Sequence, residues 1–188
     1  MGRKESRIQS WTSRFLLTIF IILTTQNLIS SPVDDHQERF EDVALKIWEY
    51  AELGYLEEKS SGLLQQELED SGFTIQSGIA GIPTAFIAEY NNGGPVLGIL
   101  GEFDALPGLS QQNVPFKTAE GLSSANGHAC GHHLFGAASA WAVVAIKEWL
   151  EESGTPGTIR FYGTPAEEGG SGKVYIARDG YFDDVDIV

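Results

Sequence analysis

Residues 134–150 read LFGAASAWAVVAIKEWL, and residues 158–163 read TIRFYG. The first stretch is apolar on nearly all sides and carries small residues on one of them, which predicts a helix buried against a sheet. Its alanine-rich composition, with Lys147 and Glu148 near its end, favours burial in a protein over a span across a membrane. The second stretch is β-prone and predicts the strand that follows this helix.

Two amphipathic helices are predicted upstream of this unit. In the first, apolar residues recur at intervals of three and four from Asp34 onward, and Gly54 stands where a C-cap glycine is expected. The second runs over 57–71 and ends at Gly72. The residues predicted to face inward are Phe40, Val43, Ala44, Ile47, Trp48, Ala51, Leu63, Leu64 and Leu68.

The periodicity changes after the second helix. Residues 73–75, 84–90 and 96–100 are short β-prone runs. The Asn-Asn-Gly-Gly sequence at 91–94 is a strong turn signal, so we expect adjacent strands with one pair forming a hairpin. Residues 102–126 lack periodicity and contain prolines and glycines, which predicts a long loop of the kind that carries a site.

Three further elements are predicted after the 158–163 strand. They are a glycine-rich loop over 164–172, a short helix over 173–179 and the beginning of another strand at 186–188. The order of strands and helices along the chain predicts the α/β class, with a three-layer sheet that has parallel members, flanking helices and right-handed crossovers.

The amino terminus has a different composition from the rest of the chain. Four cationic residues lie within the first fourteen, and the apolar run 15–23 follows them. A run this short does not reach the roughly twenty residues of a membrane-spanning helix, so residues 1–31 are expected to be a signal peptide, or an N-terminal anchor if they are not cleaved. A secreted or periplasmic location follows from the first reading. A membrane-anchored or cytoplasmic one follows if the segment is not a signal.

The charge and cysteine content restrict the function. The formal net charge is −14, which repels nucleic acid and anionic lipid surfaces, so nucleic acid is not an expected partner. A stable membrane span is not expected either, because the apolar run 15–23 is too short for one. The chain has one cysteine, Cys130, which cannot form an intramolecular disulfide. A buried thiol, an intermolecular bridge, a nucleophile and a metal ligand all remain open for it.

The sequence HACGHH at 128–133 is the strongest candidate site. Cys130 and His132 are two residues apart, so in an extended segment they project to the same side and can meet one ion. The start of the following helix is expected to favour a thiolate at Cys130. Two alternatives stay open: surface histidines beside a core cysteine, or a nucleophilic Cys130 with His132 or His128 as its base.

Carboxylates follow two of the predicted strands. Glu167 and Glu168 are adjacent, so one could bind a metal while the other takes a proton from water. Asp104 follows the 96–100 strand and could orient a metal-bound histidine. Sulfur, nitrogen and oxygen donors together suit a borderline metal such as Zn²⁺. A solvated surface pair and a solvated strand end are the alternatives for these acids.

Three motifs together resemble one protein family. GEFDALPG, GHACGHHLFGAA and GTPAEEGGSGK occur in this order at 101–108, 127–138 and 163–173. They resemble the zinc aminoacylase and carboxypeptidase family, peptidase family M20, in its amidohydrolase branch. The resemblance extends over about residues 38–188.

The resemblance implies a role for each motif residue. Cys130, His132 and Glu168 correspond to metal ligands, Glu167 to the general base and Asp104 to a supporting residue. It further implies one or two divalent ions, Zn or Mn. The implied reaction is hydrolysis of the amide or peptide bond of a small N-acyl amino acid, dipeptide or aminobenzoyl-glutamate-like substrate.

The chain departs from the family pattern in two respects. His133 stands where relatives more often have Asn or Asp, so it and His128 are expected either to support the ligands or to add a nitrogen ligand. The family also places further histidine ligands, a lid domain that often forms a homo-oligomer and the last catalytic strands beyond Val188. We therefore expect residues 32–188 to be the amino-terminal part of a catalytic domain. The alternatives are a cysteine-dependent hydrolase and a catalytically inactive binding domain.

Overall fold

The computed structural model describes residues 33–116 and 125–188. The expected signal peptide or anchor at 1–31 and the middle of the loop predicted over 102–126 lie outside these residues. Residues 36–188 make up one unit. Within the described part of the chain, no helix combines the length and apolarity needed to cross a bilayer.

Three helices form one layer of the structure. Helix α1 covers Gln37–Tyr50, α2 covers Glu58–Asp70 and α3 covers His132–Ser153. Their apolar faces pack together and against the sheet, and each large apolar side chain buried in this way contributes about 1.5–3 kcal/mol. The fully or nearly fully buried residues of α1 and α2 include Phe40, Val43, Ala44, Ile47, Leu64 and Leu68.

Helix α1 ends earlier than the sequence suggested. Ala51, and not Gly54, is the capping residue: it has φ +42° and donates its N–H to the Ile47 carbonyl at 3.1 Å. Gly54 is instead needed for a close approach, because a Cβ atom there would lie 2.9 Å from Cα of Ala166. The predicted C-cap was wrong because an alanine takes the left-handed position that glycine usually fills.

Four strands form a mixed sheet. They are β1 (Thr74–Ser77), β2 (Phe86–Asn91), β3 (Val96–Gly101) and β4 (Thr158–Gly163), in the order β1-β2-β4-β3. β1 and β2 form the expected adjacent antiparallel pair, β2 and β4 are also antiparallel, and β3 and β4 are parallel. The turn signal after β2 does not produce a pair with β3, because β4 lies between these two strands.

The two faces of the sheet are both covered. Alternate residues of β2 point to opposite sides: Phe86 and Ala88 join the large cluster beneath the three helices, whereas Ile87 joins a second cluster. Tyr162 of β4 belongs to that second cluster, as does Ile79 of the 3₁₀ turn Ile79–Gly81. The predicted three-layer α/β fold with parallel members and flanking helices is therefore confirmed.

The chain after β4 differs in detail from the prediction. The expected glycine-rich loop contains a one-turn helix, α4 (Glu167–Gly170), and α5 (Gly172–Arg178) follows it. The predicted strand at 186–188 is a single parallel bridge between Ile187 and Leu97 of β3.

The parallel pair determines where a site can form. The carboxyl ends of β3 and β4 lie at the same edge of the sheet, with Gly101 paired to Gly163. The segments carrying Asp104 and Glu167 leave the sheet at this edge, which is the usual ligand-binding position in α/β sheets. Helix α3 begins at His132 beside them.

Candidate metal centre

His132 lies at the centre of the cluster. It is 5% exposed and is the first residue of α3. Its Nδ1 lies 2.9 Å from Oδ1 of Asp104, and its Nε2 lies 2.9 Å from Oε2 of Glu102. The Nδ1–H can donate to the carboxylate of Asp104, and this hydrogen bond, with the charges of Asp104, Glu102 and Glu168, raises the pKa of His132 although burial opposes the shift. Nε2–H can then donate to Glu102, and when that proton leaves, the Nε2 lone pair is free for a cation on the side of the other carboxylates.

Asp104 links the two segments that carry the predicted ligands. Its carboxyl is buried, and while one oxygen faces His132, the other accepts the backbone N–H of Glu168 at 3.0 Å. Burial alone raises the pKa of Asp104, but the hydrogen bonds from His132 and from the Glu168 amide outweigh it and hold that pKa below its usual value. The predicted supporting position of Asp104 is therefore next to both His132 and Glu168.

Cys130 lies on the exposed side of the same cluster. Its Sγ, a ring nitrogen of His132 and a carboxylate oxygen of Glu168 all lie within 4.8 Å of one another. Its thiol lies beside the carboxylate of Glu168, and this contact, together with the negative charges of Glu167 and Glu102, raises the pKa of Cys130. The helix start was expected to favour a thiolate, but these negative charges outweigh it unless a cation neutralises them.

The carboxylates of Glu167 and Glu168, both in α4, lie near Nε2 of His132. Oε2 of Glu167 lies 3.8 Å from Nε2 of His132, and Oε1 of Glu168 lies 4.0 Å from the same atom. The Glu167 side chain is 44% exposed, whereas that of Glu168 is 23% exposed. The predicted pair thus divides into an open carboxylate and a more enclosed one. The two sequence segments predicted to form one site do meet.

His128 and His133 are not part of this cluster of ligand atoms. His128 is buried, and its Nε2 lies 3.0 Å from the carbonyl of Ile47, to which it can donate. The two rings lie 5.0 Å apart, and burial lowers the pKa of both, in His133 to about 4. His128 therefore connects the loop to α1. With its Nε2 on a carbonyl, it is poorly placed as the base of a nucleophilic Cys130.

The sequence interpretation missed Glu102. It is two residues before Asp104, and besides His132 it contacts the ammonium group of Lys173. The signal was present, because residues two apart in an extended segment share a face. Glu102, His132 and Glu167 form a second set of possible ligand atoms within 4.8 Å of one another.

The donor groups fit a divalent cation. Among the residues that the structure describes, Oε1 of Glu168 is buried and has no hydrogen-bond partner, and it lies beside a thiol and an imidazole nitrogen. A mixed set of sulfur, nitrogen and oxygen donors is typical of zinc sites. Several carboxylates this close together also repel one another, and a bound cation removes that repulsion.

Comparisons with known proteins agree with this geometry. Residues 98–188 match the model of peptidase family M20/M25/M40. We call residues 98–188 the M20 segment, because they carry the sequence pattern of that family. The M20 segment contains most of β3, all of β4 and α3, and every residue of the cluster described above.

Three similar proteins extend the likeness upstream of the M20 segment. The chain is 46% identical over 158 residues to a subunit of the p-aminobenzoyl-glutamate hydrolase of Escherichia coli, covering 84% of this chain and 33% of that protein. It is 31% identical over 169 residues to the mouse Xaa-Arg dipeptidase, covering 83% and 35%. The crystal structure of Bacillus subtilis YXEP, described as a dinuclear metal-binding M20 peptidase, aligns with TM-score 0.68 at 27% identity, covering 82% and 42%. The chain spans about a third of the length of these curated relatives.

Proposed function

We propose that the protein takes part in the metal-dependent hydrolysis of an amide or peptide bond in a small substrate. The substrate classes are an N-acyl amino acid, a dipeptide or an aminobenzoyl-glutamate-like compound. One observation carries the proposal: donor atoms of Cys130, His132 and Glu168 lie within 4.8 Å of one another. The names of the relatives, a p-aminobenzoyl-glutamate hydrolase and a dipeptidase, support the substrate classes.

Cys130, His132 and Glu168 would hold the cation. A divalent ion, Zn or Mn, supplies Lewis acidity and lowers the pKa of water when it is bound. Asp104 keeps the ring of His132 oriented through Nδ1 and holds the backbone of Glu168 through its second oxygen. One side-chain carboxylate thus fixes the positions of two ligands.

Glu167 is suited to moving the proton. Its side chain is the most exposed of the four acids in the cluster, and Oε2 lies 3.8 Å from Nε2 of His132. As general base it takes a proton from the attacking water, and as general acid it returns that proton to the leaving amine, so that water is added across the carbon–nitrogen bond.

The number of ions is one or two. Glu102, His132 and Glu167 form a second set of donors, but the two sets share His132. Because Nε2 of one imidazole binds one ion, the ring can serve only one of the sets. A second ion would need another ligand in its place.

The experiment that tests the proposal is a Glu167→Gln substitution in the purified protein. The variant should lose turnover of the three substrate classes and retain bound metal, because Gln has a similar shape but cannot take a proton. Glu69→Gln, at an exposed position of α2, is the matched control and should leave both unchanged. Full activity of Glu167→Gln would refute the assignment of the base. Activity that survives a chelator would instead favour a cysteine-dependent hydrolase.

Two further expectations belong to the proposal. The basic and apolar composition of residues 1–31 supports export, which N-terminal sequencing of the protein recovered from the producing cell tests. The full-length protein is expected to form a homo-oligomer, which size-exclusion chromatography with light scattering tests.

A further inference from the structure

The segment 52–57, between α1 and α2, contacts the strand-end region that carries Asp104. Leu53 forms a parallel bridge with Ala105, and the N–H of Ala105 donates to the carbonyl of Glu52 at 2.8 Å. The segment therefore holds the backbone immediately after Asp104.

The same segment contacts the region that carries Glu167 and Glu168. Oε1 of Glu57 accepts the backbone N–H of Ala166 at 2.8 Å. Gly54 packs so closely on Ala166 that a Cβ atom would lie 2.9 Å from its Cα, and the hydroxyl of Tyr55 donates to the carbonyl of Gly170. The segment 52–57 thus contacts the chain both before and after Glu167 and Glu168, at Ala166 and at Gly170.

Ala166 has a backbone conformation that an alanine rarely adopts. It is fully buried, with φ +57° and ψ +43°, and it immediately precedes Glu167. The left-handed region is unfavourable for a residue with a Cβ, so the surrounding contacts must maintain it. The hydrogen bond to Glu57 is one such contact, because it satisfies a buried N–H.

Glu57 is an unusual residue to bury at the start of a helix. It is 0% exposed, and its second oxygen accepts the hydroxyl hydrogen of Thr84 at 3.0 Å. A buried carboxylate is unfavourable unless its oxygens are hydrogen-bonded. Burial raises the pKa of Glu57, and its hydrogen bonds oppose that shift.

We propose that Glu57 is a positioning residue, whose buried carboxylate fixes the backbone of Ala166 and thereby the directions of the Glu167 and Glu168 side chains. This inference rests on the proposed function for the roles of the two glutamates. The backbone torsions of Ala166 determine where both side chains point, so a small rotation there moves the base and a ligand together. A misplacement of about 1 Å can reduce a catalytic rate by about 100-fold.

The test compares Glu57→Met with Glu57→Gln. Met has a similar volume but removes both acceptors, so we expect kcat to fall by about 10- to 100-fold with KM changed by less than about 3-fold. Gln can still accept from Ala166 and donate to the hydroxyl of Thr84, so it should restore kcat to within about 3-fold of the wild type. Titration with Co²⁺ gives a second readout: Met should weaken binding and alter the cobalt spectrum, and Gln should do neither.

The matched control is Ser61→Ala. It removes a buried hydrogen bond from the hydroxyl of Ser61 to the carbonyl of Thr84, in the first turn of the same helix, but no contact with Ala166. It should lower the unfolding midpoint without changing kcat or the cobalt spectrum. Should Glu57→Met fail to fold, Glu57→Asp shortens the side chain by one methylene, withdraws the acceptor from Ala166 and should lower kcat in the same way.

Three results would overturn the inference. The first is a Glu57→Met variant with the kcat and cobalt spectrum of the wild type. The second is a folded Glu57→Asp variant with the kcat and cobalt spectrum of the wild type. The third is a fall in kcat in Glu57→Gln as large as the fall in Glu57→Met. Failure of the proposed function is distinguishable from these outcomes. If the wild type hydrolyses none of the substrates, or if Glu167→Gln stays active, the cobalt titration still decides whether Glu57 positions the ligands.

Discussion

The substitution Asp104→Asn tests the link between the two segments of the cluster. Asp104 accepts one hydrogen bond from Nδ1 of His132 at 2.9 Å and another from the Glu168 amide at 3.0 Å. Asn has only one acceptor oxygen, so its NH2 group must face one of these two donors, and that donor is left without an acceptor. Both neighbours are predicted metal ligands, so the variant should bind metal more weakly.

The size of the effect follows from these contacts. A hydrogen bond to a charged group contributes about 1.5–3 kcal/mol, and one such bond is lost. Removal of the partner of a metal-ligating histidine typically weakens metal binding by about 10- to 100-fold. Since each tenfold change corresponds to about 1.4 kcal/mol, the two values agree, and we expect Zn²⁺ binding to weaken by about that factor.

Competition with a coloured chelator measures this affinity directly. Asp42→Asn, at an exposed position of α1, is the matched control and should bind Zn²⁺ like the wild type, with the unfolding free energy changed by less than about 0.5 kcal/mol. A Zn²⁺ affinity of Asp104→Asn within twofold of the wild type would refute the argument that this carboxylate holds the ligands.

Two further predictions concern the segment that packs on the cluster. Burial raises the folded-state pKa of Glu57 above its usual 4.5, so protonation of this carboxyl stabilises the folded state. That stabilisation is fully present below pH 4.5 and is lost as the pH rises through the folded-state pKa. Chemical denaturation at several pH values should show this loss in the wild type and not in Glu57→Gln. Gly54→Ala places a Cβ atom 2.9 Å from Ala166 and should lower the unfolding free energy by about 1–3 kcal/mol. Gly62→Ala, whose Cβ would have no atom within 4 Å, should raise the unfolding free energy by about 0.5–1 kcal/mol. Equal effects of the two substitutions would contradict the close packing of Gly54 on Ala166.

The meeting of distant segments could be predicted because simple rules govern it. The strand pattern places Asp104 and Glu167 after consecutive parallel strands, and such strands end at one edge of a sheet. His132 starts the helix that packs on the same sheet. These relations depend on the order and type of elements, which the apolar periodicity of the chain indicates well.

Other features depend on contacts that no local pattern contains. Glu57 precedes α2 in an acidic sequence and would be taken for an exposed residue, yet it is buried by contact with Ala166, 109 residues later in the chain. The turn at 91–94 joins β2 to β3, but β4 lies between these two strands in the sheet and pairs with both, so β2 and β3 do not pair with each other. Ala51 takes a left-handed conformation at the end of α1 although glycine usually fills that position.

A titration of the purified protein with Co²⁺ tests the central claim most directly. If Cys130, His132 and Glu168 hold one cation, the wild type should bind cobalt with a thiolate-to-cobalt charge-transfer band. Cys130→Ser should lose that band, and Glu168→Gln should bind cobalt more weakly. A wild type without the band, or a Cys130→Ser variant that binds cobalt with the same affinity and spectrum, would contradict the account.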